Sequence, residues 1–284
     1  MSEVVTFWTG SPLSRYEQLS LASFARRNHA VKIYTYEPEL ITPNGVELRD
    51  ANEILPLSGL AADLIERGAF ALLSDVIRYR LLRAGLMERT WVDTDIVLLS
   101  DDLPAGEYLF AWEGPKMVNS AVLRAPSESV LLNRLLGAVA GLDAHDAVAA
   151  PWGSFGPKLL TRFVDELGLK SHALFPHTLY PIHYSQVWRL FDPASRDWCL
   201  SVTHQASALH LWNEFIRRAG LRDRRPPDES FLAELFAENE IEWDAAPVRE
   251  SEIQQWAKEI DPSQQPLFNR VRKRLRKLAK RSIA

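Results

Sequence analysis

The first 36 residues alternate between strand-like and helix-like patterns, and this alternation constrains the fold more than any other feature. Residues 4–8, VVTFW, form a short apolar run that stops at a polar loop, and residues 16–27 place apolar side chains at roughly helical spacing. Residues 30–36, AVKIYTY, alternate as a strand does and are followed by Pro38. A strand–helix–strand unit of this length favours a parallel sheet with a right-handed crossover, so we predict an α/β fold.

The remaining patterns extend this fold without any sign of a second domain. Helices are predicted at residues 70–86, with Gly85 as the C-cap, and at 129–140 and 157–168; strands are predicted at 107–112 and 118–125, with one or two more within 200–213. No internal repeat or low-complexity linker precedes the C-terminal tail. We therefore expect residues 1–262 to form one domain, followed by a basic tail at 263–284.

Composition narrows the class of protein. Hydrophobic residues make up 46% and charged residues 25% of the 284 residues, as in ordinary soluble proteins. Cys199 is the only cysteine, which excludes an internal disulfide and a cysteine-rich zinc site and fits a reducing compartment. The N-terminal residues lack the positive segment of a secretory signal, and no apolar run reaches the roughly 18 residues of a membrane span. We expect a cytoplasmic protein.

The tail is the basic part of an otherwise acidic chain. Residues 266–284 hold eight Lys or Arg residues and no acidic residue, with apolar residues spaced as on one face of a helix. One interpretation is attachment to an anionic membrane surface, and the other is a solvated or partner-docked helix. A basic end on an acidic body is unlike a nucleic-acid-binding domain, so we expect no nucleic-acid partner.

Two carboxylates interrupt an apolar run at residues 89–98, RTWVDTDIVL. Asp93 and Asp95 would face the same side of a continuous strand. Adjacent carboxylates repel each other unless a cation lies between them, and oxygen ligands favour Mg²⁺ or Mn²⁺. The alternative is a solvated turn between two strands. A phosphatase of the haloacid dehalogenase type also places Asp-x-Asp after a strand, but that motif lies near the N-terminus and continues with a small residue and Thr.

Several segments, taken in order, resemble the DxD glycosyltransferases. This group includes bacterial polysaccharide and capsule transferases, lactosylceramide α-1,4-galactosyltransferases, fungal α-1,6-mannosyltransferases and bacterial glucosylating toxins. The segments span roughly residues 4–215 and read FWTGSPLS, LLSDVIRYRLL, WVDTD, VNSAVLRAP, GPKLLTRF, LYPIHY and LHLWN. This chain departs from the family pattern in lacking a Gly-Gly pair before the acids and in carrying Trp91 where Tyr is common.

The resemblance implies a GT-A fold, with a mixed, mostly parallel sheet flanked by helices, and a donor site for a nucleotide sugar, with UDP favoured by family habit. Asp95 is expected to bind Mn²⁺ or Mg²⁺, and Asp93 to lie near both the metal and the ribose. Trp8 is expected to stack on the nucleobase, beside Thr9, although a core position for Trp8 is the alternative.

Further site residues follow from the same resemblance. Asp75 and Arg78 share one helix face and are expected to bind sugar hydroxyls and phosphate; the alternative is an intrahelical ion pair that needs a further partner if buried. Asn119 is expected to bind the donor sugar or the acceptor, or else to lie at a strand edge. His210 and Asn213 are expected to close the nucleotide pocket, with His210 as a ligand of the metal or diphosphate, unless it is a core histidine.

The implied reaction is transfer of a hexose with retention at the anomeric carbon, onto a glycan or lipid-linked acceptor in bacterial surface polysaccharide synthesis, such as capsule or lipopolysaccharide. No carboxylate stands out in the sequence as a nucleophile, so we expect displacement on the same face, assisted by the leaving diphosphate. Two alternatives are a metal-dependent phosphohydrolase that uses Asp93 and a non-catalytic nucleotide-sugar-binding protein.

Overall fold

A computed structural model of the chain describes residues 3–85 and 88–264. The strands are β1 (Glu3–Phe7), β2 (Val31–Thr35), β3 (Val46–Asp50), β4 (Arg89–Val92), β5 (Ile96–Leu98), β6 (Leu109–Gly114), β7 (Met117–Arg124) and β8 (Ala208–His210). The helices are α1 (Arg15–Ala25), α2 (Leu60–Glu66), α3 (Phe70–Ala84), α4 (Val130–Val139), α5 (Ala144–Ala149), α6 (Pro157–Glu166), α7 (Pro176–Leu179), α8 (Arg196–Thr203), α9 (Asn213–Arg218), α10 (Phe231–Glu238) and α11 (Glu250–Ile260). Short 3₁₀ helices cover Ala51–Glu53, Leu169–His172, Tyr184–Leu190 and Pro193–Ser195.

Six strands form the main sheet, in the order β3-β2-β1-β4-β7-β6. The first four in this order are parallel to one another, and β7 runs antiparallel to both β4 and β6. The predicted class, a mixed and mostly parallel sheet flanked by helices, is confirmed. From β1 the chain proceeds outward to β2 and β3 and then returns to β4 on the other side of β1. Ligands of open α/β sheets bind beyond the carboxyl ends of the strands at such a reversal.

The first βαβ unit forms where the sequence pattern predicts it. Val4 and Ile33 are buried in β1 and β2 and cluster with Leu21 and Phe24 of α1. A capping box starts α1, in which the Ser14 and Glu17 side chains bond reciprocally to the backbone of the first turn. Glu17 is also buried, and it takes part in the site described below.

The C-terminal helices pack on the other side of α1. A second sheet pairs β5 with β8 in antiparallel fashion, with Ile96 opposite His210. A buried cluster joins α1 and these two strands to α9, α10 and α11 through large apolar side chains, among them Tyr16, Val97, Phe236 and Trp256. This packing fixes the segment around His210 against the end of β4.

Several boundaries differ from the sequence predictions. One strand, β8, lies within residues 200–213 as predicted, and residues 200–203 of this range belong to α8. Strand β3 and helix α2 were not predicted. Gly85 ends α3 in an extended conformation instead of the left-handed conformation of a glycine cap.

None of the helices in the described ranges has the length and apolar character needed to cross a membrane. The basic residues 266–284 lie outside the described residues.

Candidate active site

The acid pair lies in a short turn between β4 and β5. The structure therefore corrects the continuous strand assumed for this pair, since the Ile96 amide donates to the Asp93 carbonyl at 3.1 Å and closes a turn. The turn is not a solvated loop, because the side chains of Asp93 and Asp95 are only 30% and 16% exposed. The Asp93 amide donates to the Ala121 carbonyl of β7 at 2.7 Å, which fixes the turn against the sheet.

Arg78 connects three elements around Asp93. From α3 its guanidinium forms an ion pair with Asp75, donates to Asp93 Oδ1 at 2.8 Å, and donates to Ser120 Oγ of β7 at 3.1 Å. Trp91 lies beneath it, with the guanidinium carbon 4.9 Å from the ring centre, and its indole N–H donates to the same Asp93 oxygen at 2.6 Å. The ion pair expected as an alternative is thus present, and Asp93 is its further partner.

Both acids that contact Arg78 are shifted toward protonation. Burial raises the pKa of Asp75 to about 6, although the Arg78 charge opposes this effect. Burial also raises the pKa of Asp93; Arg78 opposes the shift, and the neighbouring Asp95 charge adds to it. The pocket thus holds two carboxylates and one buried arginine, Arg78. Because the negative groups outnumber the positive one, an added cation would be stabilised there.

Asp95 has the opposite character. Burial alone would raise the pKa of its carboxyl, but His210 and the Asn213 amide outweigh burial and lower it. Its Oδ2 lies 3.2 Å from His210 Nε2 and accepts from the Asn213 backbone N–H at 3.0 Å. His210 is buried, which lowers its pKa, yet the Asp95 charge raises it on balance. Asp95 and His210 form a paired unit at the end of β8.

Trp212 and Asn213 shape this unit. Trp212 has a left-handed backbone, with φ at 56°, which is unfavourable for a bulky residue. Its indole donates to the Ile182 carbonyl at 2.9 Å, and its ring stacks on His210 with centres 3.8 Å apart. This conformation turns the Asn213 N–H toward Asp95. The Asn213 side chain donates instead to Glu17 at 2.8 Å.

Trp8 and Thr9 follow β1 at the same edge of the sheet. Trp8 is partly buried, and its indole donates to the Ser11 carbonyl at 2.5 Å, so it is neither a fully buried core residue nor a free ring. Thr9 Oγ1 and the Gly10 amide both donate to Glu37, which follows β2, at 2.8 and 3.0 Å. Glu37 thus fixes the turn that carries Trp8.

The loop before α6 completes the edge near Asp75. A Cβ added at Gly156 would lie 2.7 Å from both Asp75 carboxylate oxygens, so only glycine fits there. The Tyr79 hydroxyl donates to the Phe155 carbonyl at 2.7 Å and ties the loop to α3. Trp152, in the same loop, is 71% exposed.

Direct contacts join Asp75, Arg78 and Asp93, and they join Asp95 to His210 and to the backbone of Asn213. Trp8, Thr9 and Asn119 form their hydrogen bonds with other residues. Sequence reasoning missed two carboxylates at this edge, Glu17 and Glu37, and a third in the β6–β7 hairpin, Glu113, which accepts from the Asn119 side chain at 2.8 Å. Glu17 carried a signal, the Ser-x-x-Glu capping box, and Glu37 is an acid at the end of the second strand, a position that often binds ribose in dinucleotide folds. Glu113 carried no signal.

Asp95 and His210 are suited to hold a divalent cation. Ligands of an octahedral Mg²⁺ at 2.0–2.1 Å stand about 3 Å apart, which matches the separation of Asp95 Oδ2 from His210 Nε2. The described residues contain one group of three whose ligand atoms all lie within 4.8 Å of one another, the exposed Asp143, His145 and Asp146. Exposed acidic groups of that kind are common without an ion. The Asp95–His210 pair differs because it is buried and lies where the strand order reverses, beside the carboxyl ends of β1 and β4.

Asp93 also has a ligand atom to offer. Arg78 and Trp91 both bind Oδ1, whereas Oδ2 has no hydrogen bond to any residue in the described ranges. His210 Nδ1 is buried and likewise has no partner among them. Oxygen and imidazole ligands suit Mn²⁺, so the donor set fits the cation that the resemblance implies.

Comparisons with known proteins give one family match. The model for the α-1,4-glycosyltransferase conserved region matches residues 149–238, which include the loop before α6 and the β8–α9 junction. The sequence matches none of the curated proteins.

Two solved structures resemble the chain weakly. The PaToxG glycosyltransferase is 13% identical, with a TM-score of 0.43 over 61% of this chain and 71% of that chain. Mouse xyloside xylosyltransferase 1, in its apo form, is 14% identical, with a TM-score of 0.31 over 72% and 93%. At these scores neither likeness carries weight. The family match covers 90 of the 284 residues, and over these residues the chain is similar to the α-1,4-glycosyltransferases.

Proposed function

We propose that the protein transfers a hexose from a UDP-sugar to a hydroxyl of a glycan or lipid-linked acceptor, with retention at the anomeric carbon. The observation that carries the proposal is the pairing of Asp95 with His210 beside Asp93, at the carboxyl ends of β1 and β4. When bound there, Mn²⁺ or Mg²⁺ would neutralise the charge of a departing diphosphate.

The residues around the acids keep the site in one geometry. Arg78 and Trp91 hold Asp93 in place through Oδ1, which leaves Oδ2 to bind a cation. His210 and the Asn213 amide orient Asp95. Trp8 supports a nucleobase at the end of β1, on a turn that Glu37 fixes.

In the transfer, the bond between the anomeric carbon and the diphosphate oxygen breaks, and a bond to the acceptor oxygen forms on the same face. The acceptor proton passes to the departing diphosphate oxygen. This order of events accounts for retention without a covalent intermediate on the protein.

An assay of UDP release tests the activity. Purified protein with Mn²⁺ and a panel of UDP-sugars is expected to release UDP slowly in the absence of acceptor, and the Asp95→Ala variant is expected to lose this activity. Asp101→Ala, an exposed acid on the following loop, is the control and keeps it. Release of inorganic phosphate from a phosphomonoester would support a phosphohydrolase instead, and binding of UDP-sugar without turnover would support a non-catalytic protein.

We place the reaction in bacterial surface polysaccharide synthesis at the cytoplasmic face of the membrane, with residues 266–284 on anionic lipid. Only the family resemblance and the charge of the tail support this part. Sedimentation with anionic liposomes is expected to pull down the full chain and not a chain truncated after residue 265. Equal sedimentation of both chains would show that residues 266–284 do not bind the anionic liposomes.

A further inference from the structure

The hairpin of β6 and β7 carries a carboxylate that the proposed mechanism does not use. Trp112 pairs with Val118 and Gly114 with Met117, so Glu113 is the additional residue of a β-bulge. Bulges turn a side chain away from the regular alternation of a strand and are frequent beside active sites. Glu113 is partly buried.

Asn119 holds Glu113 in a defined orientation. The Asn119 side-chain oxygen accepts from the Ala121 amide at 2.7 Å, which fixes the amide group, and its nitrogen donates to Glu113 Oε2 at 2.8 Å. Asn119 is only 7% exposed. Glu113 Oε1 has no hydrogen bond to any residue of the described ranges.

This pair lies next to the proposed diphosphate site. Asn119 precedes Ser120, which binds Arg78, and Ala121, whose carbonyl accepts from the Asp93 amide. Burial raises the pKa of Glu113, while the Asn119 hydrogen bond and the positive charge of His210 oppose the shift.

We propose that Glu113, oriented by Asn119, binds hydroxyl groups of the transferred hexose and so determines which sugar is used. The inference rests on the proposed function, because it needs a sugar attached to a diphosphate held by Asp95 and His210. Glu113 Oε1, which has no hydrogen bond to any residue of the described ranges, accepts from these hydroxyls. Hydrogen bonds to a charged group are the stronger kind, and in a partly buried pocket they discriminate between hydroxyl configurations.

The alternative is that Glu113 only locks the hairpin. Such a role would make its loss affect the fold and all ligands alike. A sugar-binding role affects only ligands that carry the sugar.

Calorimetric titrations with Mn²⁺ separate these roles. We would titrate UDP and the tightest-binding member of a UDP-hexose panel into the wild type, Glu113→Gln, Glu113→Ala and Glu107→Gln, an exposed control in the preceding loop. Both Glu113 variants are expected to bind UDP within about twofold of the wild type and the UDP-hexose at least roughly tenfold more weakly. The control is expected to bind both ligands as the wild type does.

Three results would overturn the inference. The first is unchanged UDP-hexose binding in both Glu113 variants. The second is a parallel loss of UDP and UDP-hexose affinity, which would indicate a purely structural lock. The third is a hexose found covalently attached to Glu113 by mass spectrometry, which would make it a nucleophile. If the wild type itself fails to bind UDP, the proposed function fails, and this inference falls with it.

Discussion

At the scale of single residues, the site contains several buried charged groups that contribute little to the stability of the fold. Asp75, Arg78 and Asp93 share one pocket with a single cation among three groups, and Asp95 depends on His210 for its charge balance. Breaking a buried pair by removing one partner is costly, whereas the pair itself adds little stability. The arrangement is therefore better explained by what the pocket binds than by folding.

The pH dependence of Asp75 provides a test of this cost. Its pKa rises from 3.8 to about 6 in the folded protein, so the folded state binds the proton more tightly than the unfolded state. The contribution of Asp75 to stability is thus fully present below about pH 4 and is lost as the pH rises through 6, by on the order of 2–3 kcal/mol.

Asp75→Asn removes this dependence. In EDTA, we expect the free energy of unfolding of the variant, relative to the wild type, to rise between pH 4.5 and pH 7. Urea denaturation at several pH values measures it. Asp197→Asn, at a side chain that is 94% exposed, is the control and should show no comparable trend. A stability difference between the wild type and the Asp75→Asn variant that does not vary with pH would contradict the assigned environment.

At the scale of secondary-structure elements, the site depends on how α6 approaches α3. Gly156 precedes α6 and lies against the Asp75 carboxylate, so the missing side chain sets the distance between the two helices there. Glycine at such a position serves close approach rather than flexibility.

Gly156→Ala is expected to displace Asp75 and, through it, Arg78. Overpacking of this kind costs typically 1–3 kcal/mol of stability, and we expect UDP release to fall at least tenfold because Asp93 loses its fixed partner. Gly137→Ala is the matched control: Gly137 lies in α4 with no heavy atom within 4 Å of its added Cβ, and Ala should stabilise that helix by about 0.5–1 kcal/mol. Thermal unfolding and the UDP-release assay measure both variants. Equal behaviour of the two alanine variants would show that the Gly156 contact is unimportant.

The elements that sequence patterns predict well are those with a strong apolar face. The buried strands β1 and β2 and the helices α1, α3 and α6 fall within a few residues of the expected bounds. Strand β3 was missed because its sequence, VELRD, has no fully buried residue and lies at the sheet edge. Asp93 and Asp95 were predicted as a pair, but no local pattern reveals the contact between the Asp93 amide and the Ala121 carbonyl that fixes their turn against β7.

At the scale of the whole molecule, contacts between distant parts of the chain assemble the site. His210 reaches Asp95 from 115 residues away, and Asn213 reaches Glu17 across 196. The family pattern predicted a role for His210 without these contacts, whereas the contacts of Glu17, Glu37 and Glu113 are seen only in the structure. The sequence patterns thus predicted the edge of the sheet where the site lies. The hydrogen-bond and ion-pair partners of each charged group are seen only in the three-dimensional structure.

We expect Asp95 and His210, beside Asp93, to hold a divalent cation against a diphosphate. Calorimetric titration of UDP into the wild type, Asp95→Asn and the exposed control Asp101→Asn, with Mn²⁺ or with EDTA, tests this expectation. We predict UDP binding that requires Mn²⁺ in the wild type and the control and is lost in Asp95→Asn. UDP binding of equal affinity in EDTA, or in Asp95→Asn with Mn²⁺, would contradict the account.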